Sequence, residues 1–250
     1  MTSDSEIKAP NIIEVKSVTK SFDTQIVLKG LSFSIKKGEI LGLLGPNAAG
    51  KSTISKIIMG ILKADSGKIL YNDNELNYNK NIISSKFSLV PQEEFFYKDF
   101  TVKENLNFFG LIYNLSNSEI ETRSEELISW FNLSRFRNKK AKDMSGGYRR
   151  LLNIAVSLVH DPEVIFLDEP TVALDPSVRK DIWDKIIELK SKGKTIVITT
   201  HYIEEAEVLC DNVVLLMEGK ILQEGAPKKL IHKYKKKNLE EVFIEITSKK

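Results

Sequence analysis

The amino-acid sequence predicts an α/β protein on a mostly parallel sheet, with an antiparallel β region ahead of it and an inserted helical subdomain. Three observations carry that expectation. Short apolar runs alternate with helical periodicity from residue 40 onward, and a glycine-rich loop joins one of those runs to a helix. The rhythm then breaks over residues 92–160, where helical spacing takes over. Strand, helix, strand, helix implies parallel strands covered on both faces.

Residues 11–44 read as strands, because Leu31, Phe33 and Ile35 alternate with other residues and Lys36-Lys37-Gly38-Glu39 is a turn. Ile40-Leu41-Gly42-Leu43-Leu44 is a buried strand, and the helix expected over 52–62 puts Ile54, Ile57, Ile58 and Ile61 on one face. Residues 67–71 and the turn Asn72-Asp73-Asn74 form a hairpin, and 87–90 is a short strand stopping at Pro91-Gln92. The 117–131 segment carries Ile120, Leu127, Ile128 and Phe131 at helical spacing, and a further helix runs from Tyr148 to about His160. Strands return at 164–167, 195–199 and 213–217, with helices at 177–191 and 203–209. The expected organisation is one domain over 1–250, with 1–91 and 161–250 as core plus antiparallel region and 92–160 as the helical subdomain.

A chain of 250 residues can bury a full core, and 42% hydrophobic with 28% charged residues is a globular composition. A net charge of +3 argues against binding nucleic acid by bulk electrostatics, so no nucleic-acid partner is expected. The start, Met1 to Glu6, lacks the basic and apolar regions of a signal peptide. No apolar run approaches the ~20 residues that span a bilayer. Cys210 has no cysteine to pair with, and its apolar neighbours predict a buried thiol in a reducing cytosol.

The chemistry concentrates at Gly45-Pro46-Asn47-Ala48-Ala49-Gly50-Lys51-Ser52-Thr53, which fits G-x-x-x-x-G-K-[ST]. Between a buried strand and a helix start, such a loop turns several backbone N–H groups onto one anion, and the helix dipole adds to them. Lys51 is expected at the β- and γ-phosphates of a nucleoside triphosphate, and the Ser52 hydroxyl at Mg²⁺. Three more apolar runs end in polar residues: Gln92 after 87–90, Asp168-Glu169 after 164–167 and His201 after 195–199. Parallel sheets bind ligands beyond the carboxyl ends of their strands. Asp168 is therefore expected at Mg²⁺, directly or through water, with Gln92 joining it. Glu169 takes a proton from the attacking water, and Gln92 and His201 sense the γ-phosphate. A second anion-seeking helix start lies at Ser145-Gly146-Gly147, in the other subdomain. A two-fold dimer would set each phosphate loop against the other copy's Ser-Gly-Gly.

This pattern resembles the ATP-binding-cassette ATPases in order and over nearly the whole chain. Residues 45–53 look like the Walker A loop, 164–169 with Pro170 like Walker B, and Ser145-Gly146-Gly147 like the family signature. Gln92 resembles the Q-loop glutamine, His201 the switch histidine and Ala173-Leu174-Asp175 the D-loop, while Phe22 stands where an aromatic stacks on adenine. The resemblance implies ATP and Mg²⁺ as cofactors and a head-to-tail dimer that closes on ATP and reopens on hydrolysis; both halves of the site are present in this sequence, which favours an identical chain as partner. It also implies docking on a multi-helix permease at the cytoplasmic face of a membrane.

The segments Phe100–Leu106, Lys142–Gly147, Thr200–Glu207 and Asn238–Phe243 are similar to cassettes serving exporter permeases. An importer's ATPase, a soluble cassette of DNA repair or translation and a phosphate-loop kinase are the competing readings. Ala48 stands where the family usually has Gly, and Tyr148 where Gln is commonest. Seven aromatic residues fall between Phe95 and Tyr113, and Phe95-Phe96-Tyr97 is the expected docking surface for the permease. Lys228, Lys229, Lys233 and Lys235 to Lys237 form a basic run, read as a solvated face or an attraction to anionic headgroups.

Overall fold

A computed structural model describes residues 9–76 and 80–248, the side chain of Lys80 excepted; the Met1–Glu6 stretch considered above lies outside them. Alternation in the first strands builds an antiparallel sheet. β1 (Asn11–Phe22) pairs with β2 (Gln25–Lys36) on one side and β4 (Ser66–Tyr71) on the other, and β5 (Asn74–Glu75) closes the hairpin. The second sheet runs β10-β9-β3-β8-β7-β6. Its strands are β3 (Ile40–Leu44), β6 (Phe87–Val90), β7 (Val164–Asp168), β8 (Thr195–Thr200), β9 (Asn212–Met217) and β10 (Lys220–Gly225). The β9-β3-β8-β7-β6 pairs are parallel, and β10 adds an antiparallel edge.

The period of two along these strands divides the molecule into two apolar layers. Leu41, Leu43, Phe166, Val197 and Val214 face the antiparallel sheet and α1 (Lys51–Ile58). Ile40, Leu44, Ile165, Leu167, Ile196 and Ile198 face the helices on the opposite side. Cys210 is buried, as expected, and burial pushes its thiol pKa up. One expectation fails: Ile61 is 56% exposed, because α1 stops at Ile58 and Gly60 turns the chain at φ 66.

Between β5 and β7 come α2 (Lys80–Lys86), then α3 (Val102–Ile112), α4 (Asn117–Trp130) and α5 (Gly146–Ser157). α3 and α4 both open on capping boxes, Thr101 with Glu104 and Ser116 with Glu119, which satisfy otherwise unpaired N–H groups. Ile120, Leu127, Ile128 and Phe131 are all buried, as their spacing predicts. After β7 follow α6 (Pro176–Ser191), α7 (Ile203–Leu209), α8 (Pro227–Tyr234) and α9 (Leu239–Ser248). Within the basic run, Lys233 bonds Gln223 and Lys236 pairs with Glu245 at 2.7 Å, so the run is partly internal bonding.

Candidate active site

Parallel pairing of β3, β8, β7 and β6 sends their carboxyl ends to one edge. The loop after β3 has little freedom. A Cβ on Gly45 would lie 2.1 Å from the Leu216 carbonyl oxygen, so no side chain fits there. Gly50 sits at φ 104, and Ala48 occupies the left-handed region at φ 63, which costs an alanine about 1 kcal/mol. Lys51 Nζ donates to the Gly45 and Pro46 carbonyls at 2.6 and 3.0 Å, which aims the ammonium along the inside of the loop. Burial pulls its pKa down, opposed by Glu169 and Asp168. Asn47 to Thr53 line a cleft of about 400 Å³ together with Gln25, Val27, Gln92, Asp168 and Glu169. That is the size of a small-molecule site.

Register fixes the acids. Asp168 pairs with Thr199 across β7 and β8, and its Oδ1 accepts from the Thr199 hydroxyl and, at 3.3 Å, from Ser52 Oγ. Glu169 is 8% exposed and held at φ 47, an uncommon conformation of the kind that clusters at functional sites. Its N–H donates to Thr199 O at 2.9 Å, which carries the β7–β8 ladder one residue past Asp168. Its Oε1 lies 4.0 Å from Lys51 Nζ. His201 Nδ1 lies at ion-pair distance, 2.9 Å, from Glu169 Oε2, a buried oxygen that accepts no hydrogen bond among the described residues.

Adjacent carboxylates, one half-buried and one buried, need compensation, and a residue that sequence reasoning missed contributes to it. Arg150, on α5, is 8% exposed. Its Nε donates to Pro170 O at 2.8 Å, one terminal nitrogen to Pro91 O and Gln92 O at 2.6 and 3.2 Å, and the other to Asp168 O and Glu169 O at 3.1 and 3.3 Å. Burial lowers its pKa to about 10, with Asp168 and Glu205 opposing, so it stays charged at neutral pH. Asn153, one turn on, holds Glu93 O at 3.0 Å and accepts from Phe95 N at 3.1 Å. No motif announces either residue, because their partners are backbone groups distant in sequence.

The remaining expected residues stand apart from the cleft. Ser145 has N-cap backbone angles at the start of α5 but makes no capping bond, and the helix begins at Gly146, two residues earlier than the spacing suggested. An added Cβ on Gly146 would meet nothing within 4 Å, whereas on Gly147 it would strike Val178 of α6 at 2.6 Å. Ser145 and Gly146 are exposed. Phe22, 44% exposed at the end of β1, is not part of the cleft lining. Ala173 sits at φ 57 just before Asp175, the N-cap of α6. At Tyr148 the ring packs 4.5 Å from Phe136, and the Arg135 guanidinium covers both rings at 4.7 Å.

The aromatic docking surface needs a correction. Phe96 is buried at 5% exposure within the helical core, and Phe95 is half-buried against Phe109. The exposed ring of the three is Tyr97, at 48%, tilted against Phe100 at 5.0 Å and edge-to-face with Phe108 at 4.8 Å. Asn105 pins this segment through Tyr97 N at 2.8 Å and Tyr97 O at 3.0 Å.

The family model described as "ABC transporter" matches residues 28–172, more than half of the chain. The chain belongs to the ABC transporter family. Among curated relatives of this cassette, the Nod factor export ATP-binding protein I of Rhizobium sp. (strain N33) is 39% identical over 222 residues, covering 89% of this chain and 73% of the relative. The protein of the same name from Rhizobium leguminosarum bv. viciae is 41% identical over 231 residues, covering 92% and 74%. Among solved structures, an ATP-binding subunit of an ABC transporter superposes with TM-score 0.83 at 29% identity, over 94% of this chain and 99% of that one. A dimeric ATP-binding cassette in a post-hydrolysis state, bound to ADP and Pi, has TM-score 0.76 at 28% identity, over 86% and 98%. This ABC ATPase is thus an ATP-binding, ATP-hydrolysing transporter subunit of a kind that works with membrane permease subunits and forms dimers. Among the described residues, no helix is long and apolar enough to cross a membrane.

Proposed function

We propose that the chain powers an exporter as a homodimer at the cytoplasmic face of a membrane, with hydrolysis centred on Glu169. The observation that carries the catalytic assignment is the buried Glu169 Oε2, which accepts no hydrogen bond among the described residues, lies 2.9 Å from His201 Nδ1 and sits at the cleft that Lys51, Ser52, Gln92 and Asp168 also line. That oxygen accepts the proton of the attacking water, and His201 beside it senses the γ-phosphate and keeps the water in place. Lys51 and the N–H groups of residues 45–53 hold the phosphates. Phe22 takes the adenine.

Ser52 Oγ and Asp168 Oδ1 converge, so these residues suit Mg²⁺, with Gln92 completing the set. When bound, Mg²⁺ neutralises charge developing on the β- and γ-oxygens. Ser145, Gly146 and Gly147 complete the site on the partner copy. In this reading residues 92–160 act as the helical subdomain that carries them, and 1–91 with 161–250 as the core.

Export rests on the relatives named for Nod factor export. The permease docks on the surface formed by Tyr97, Phe100 and Phe108. The test is affinity purification of tagged Glu169→Gln chain from detergent-solubilised native membranes, followed by mass spectrometry. A stoichiometric multi-helix membrane protein, lost with Tyr97→Ala, is the expected result. Recovery only from the soluble fraction, with nucleic acid attached, would contradict it.

A further inference from the structure

Arg150 has five N–H groups, and each meets a different carbonyl oxygen: those of Pro91, Gln92, Asp168, Glu169 and Pro170. A guanidinium carries five donors in a rigid planar fork, so the group is saturated by backbone alone. Three of the five acceptors belong to residues whose side chains line the cleft. The other two are prolines, Pro91 just before Gln92 and Pro170 just after Glu169. The fork therefore clamps both ends of the acidic turn and the entry to the glutamine loop. The clamp hangs from α5, the helix that begins at Gly146.

We propose that Arg150 is a positioning residue for ATP hydrolysis, fixing the backbone at Gln92 and at Asp168–Glu169 so that their side chains stay aimed into the cleft. The proposal rests on the catalytic reading above. Lysine cannot substitute: its three donors on a flexible stem leave two buried carbonyls bare and set no angle between the two segments. Misplacement by about 1 Å at a reacting centre costs on the order of 10²-fold in rate. The phosphate loop is held by other bonds, to Gly219 N and within itself, so nucleotide binding is separable.

The experiment compares Arg150→Lys with the wild-type chain for kcat, ATP affinity by fluorescent-nucleotide titration and thermal melting, with Glu169→Gln alongside. Arg150→Lys is expected to lose about 10²-fold in kcat while ATP affinity stays within about twofold, as for independent sites. Wild-type kcat in Arg150→Lys overturns the proposal, and so does a parallel loss of kcat and affinity. If Glu169→Gln itself turns over normally, the catalytic reading fails instead. Should Arg150→Lys not fold, guanidinium ¹⁵N NMR of the wild-type chain decides. Slowly exchanging Arg150 protons whose signals shift on adding Mg-ATP are expected; fast-exchanging, unshifted signals overturn the proposal.

Discussion

The two halves of the proposed nucleotide site are built differently. Around the phosphate loop the side chains are already held: Lys51 on two carbonyls, Ser52 and Thr199 on Asp168, and Glu169 beneath the surface with its Oε2 2.9 Å from His201 Nδ1. At Ser145-Gly146-Gly147 the N-cap serine makes no side-chain capping bond and Gly146 faces open space, while Gly147 lies against Val178. One half is enclosed before any ligand arrives, at the cost of left-handed backbone at Ala48 and Glu169. The other half is a helix start with uncovered N–H groups, which is how a surface awaiting an anion on another molecule is built. Arg150 lies on the helix that starts at the open half and bonds the backbone of the enclosed one.

Glu169→Gln strikes the enclosed half hardest. Expected is a fall of about 10²–10⁴-fold in hydrolysis with ATP still bound, and a dimer retained on size exclusion in ATP. A normal rate would move the catalytic centre elsewhere. Gly146→Asp strikes the open half by setting a carboxylate where an anion is received. It should abolish the ATP-dependent dimer while single-chain ATP affinity stays within about twofold; a large loss of affinity would mean the two halves are not separate.

His160 is a control outside both halves. It stacks on Tyr113 at 3.8 Å, and burial lowers its pKa from 6.5 to about 4. Because the folded pKa is depressed, the unfolded chain protonates first as pH falls. Stability is full above about pH 6.5 and declines toward pH 4, by about 3 kcal/mol at most. Urea titrations across that range should show a shallower acid slope in His160→Gln, without a matching change in nucleotide affinity. The smallest effect is Ala48→Gly, which relieves about 1 kcal/mol of left-handed strain and keeps or tightens ATP binding. A clear loss of affinity would show that the loop is shaped around the methyl group.

The enclosed half was legible because its residues follow strands directly. A buried apolar run tells where the chain reaches the sheet edge, and Gly45–Thr53, Gln92, Asp168-Glu169 and His201 all follow one. Alternation marked Leu31, Phe33 and Ile35, but the uniformly apolar 40–44 run has no period, so the split of Leu41 and Leu43 from Ile40 and Leu44 shows only in the fold. Phe96 was misread because a run of three aromatics has no period, so sequence cannot tell which ring turns inward. Ile61 was misread because a C-terminal glycine ended the helix one turn before the pattern did. Arg150 was invisible for a deeper reason. It bonds only backbone oxygens, and those carry no residue identity.

The central claim is that each site needs residues from two copies, and mixing tests it directly. Glu169→Gln and Gly146→Asp chains are each expected to be inactive alone. When mixed, a heterodimer contains one site with both changes and one with neither. Recovered ATP hydrolysis, rising with the heterodimer fraction, is the predicted result. A mixture no more active than the sum of its parts would show that the site is complete within one chain.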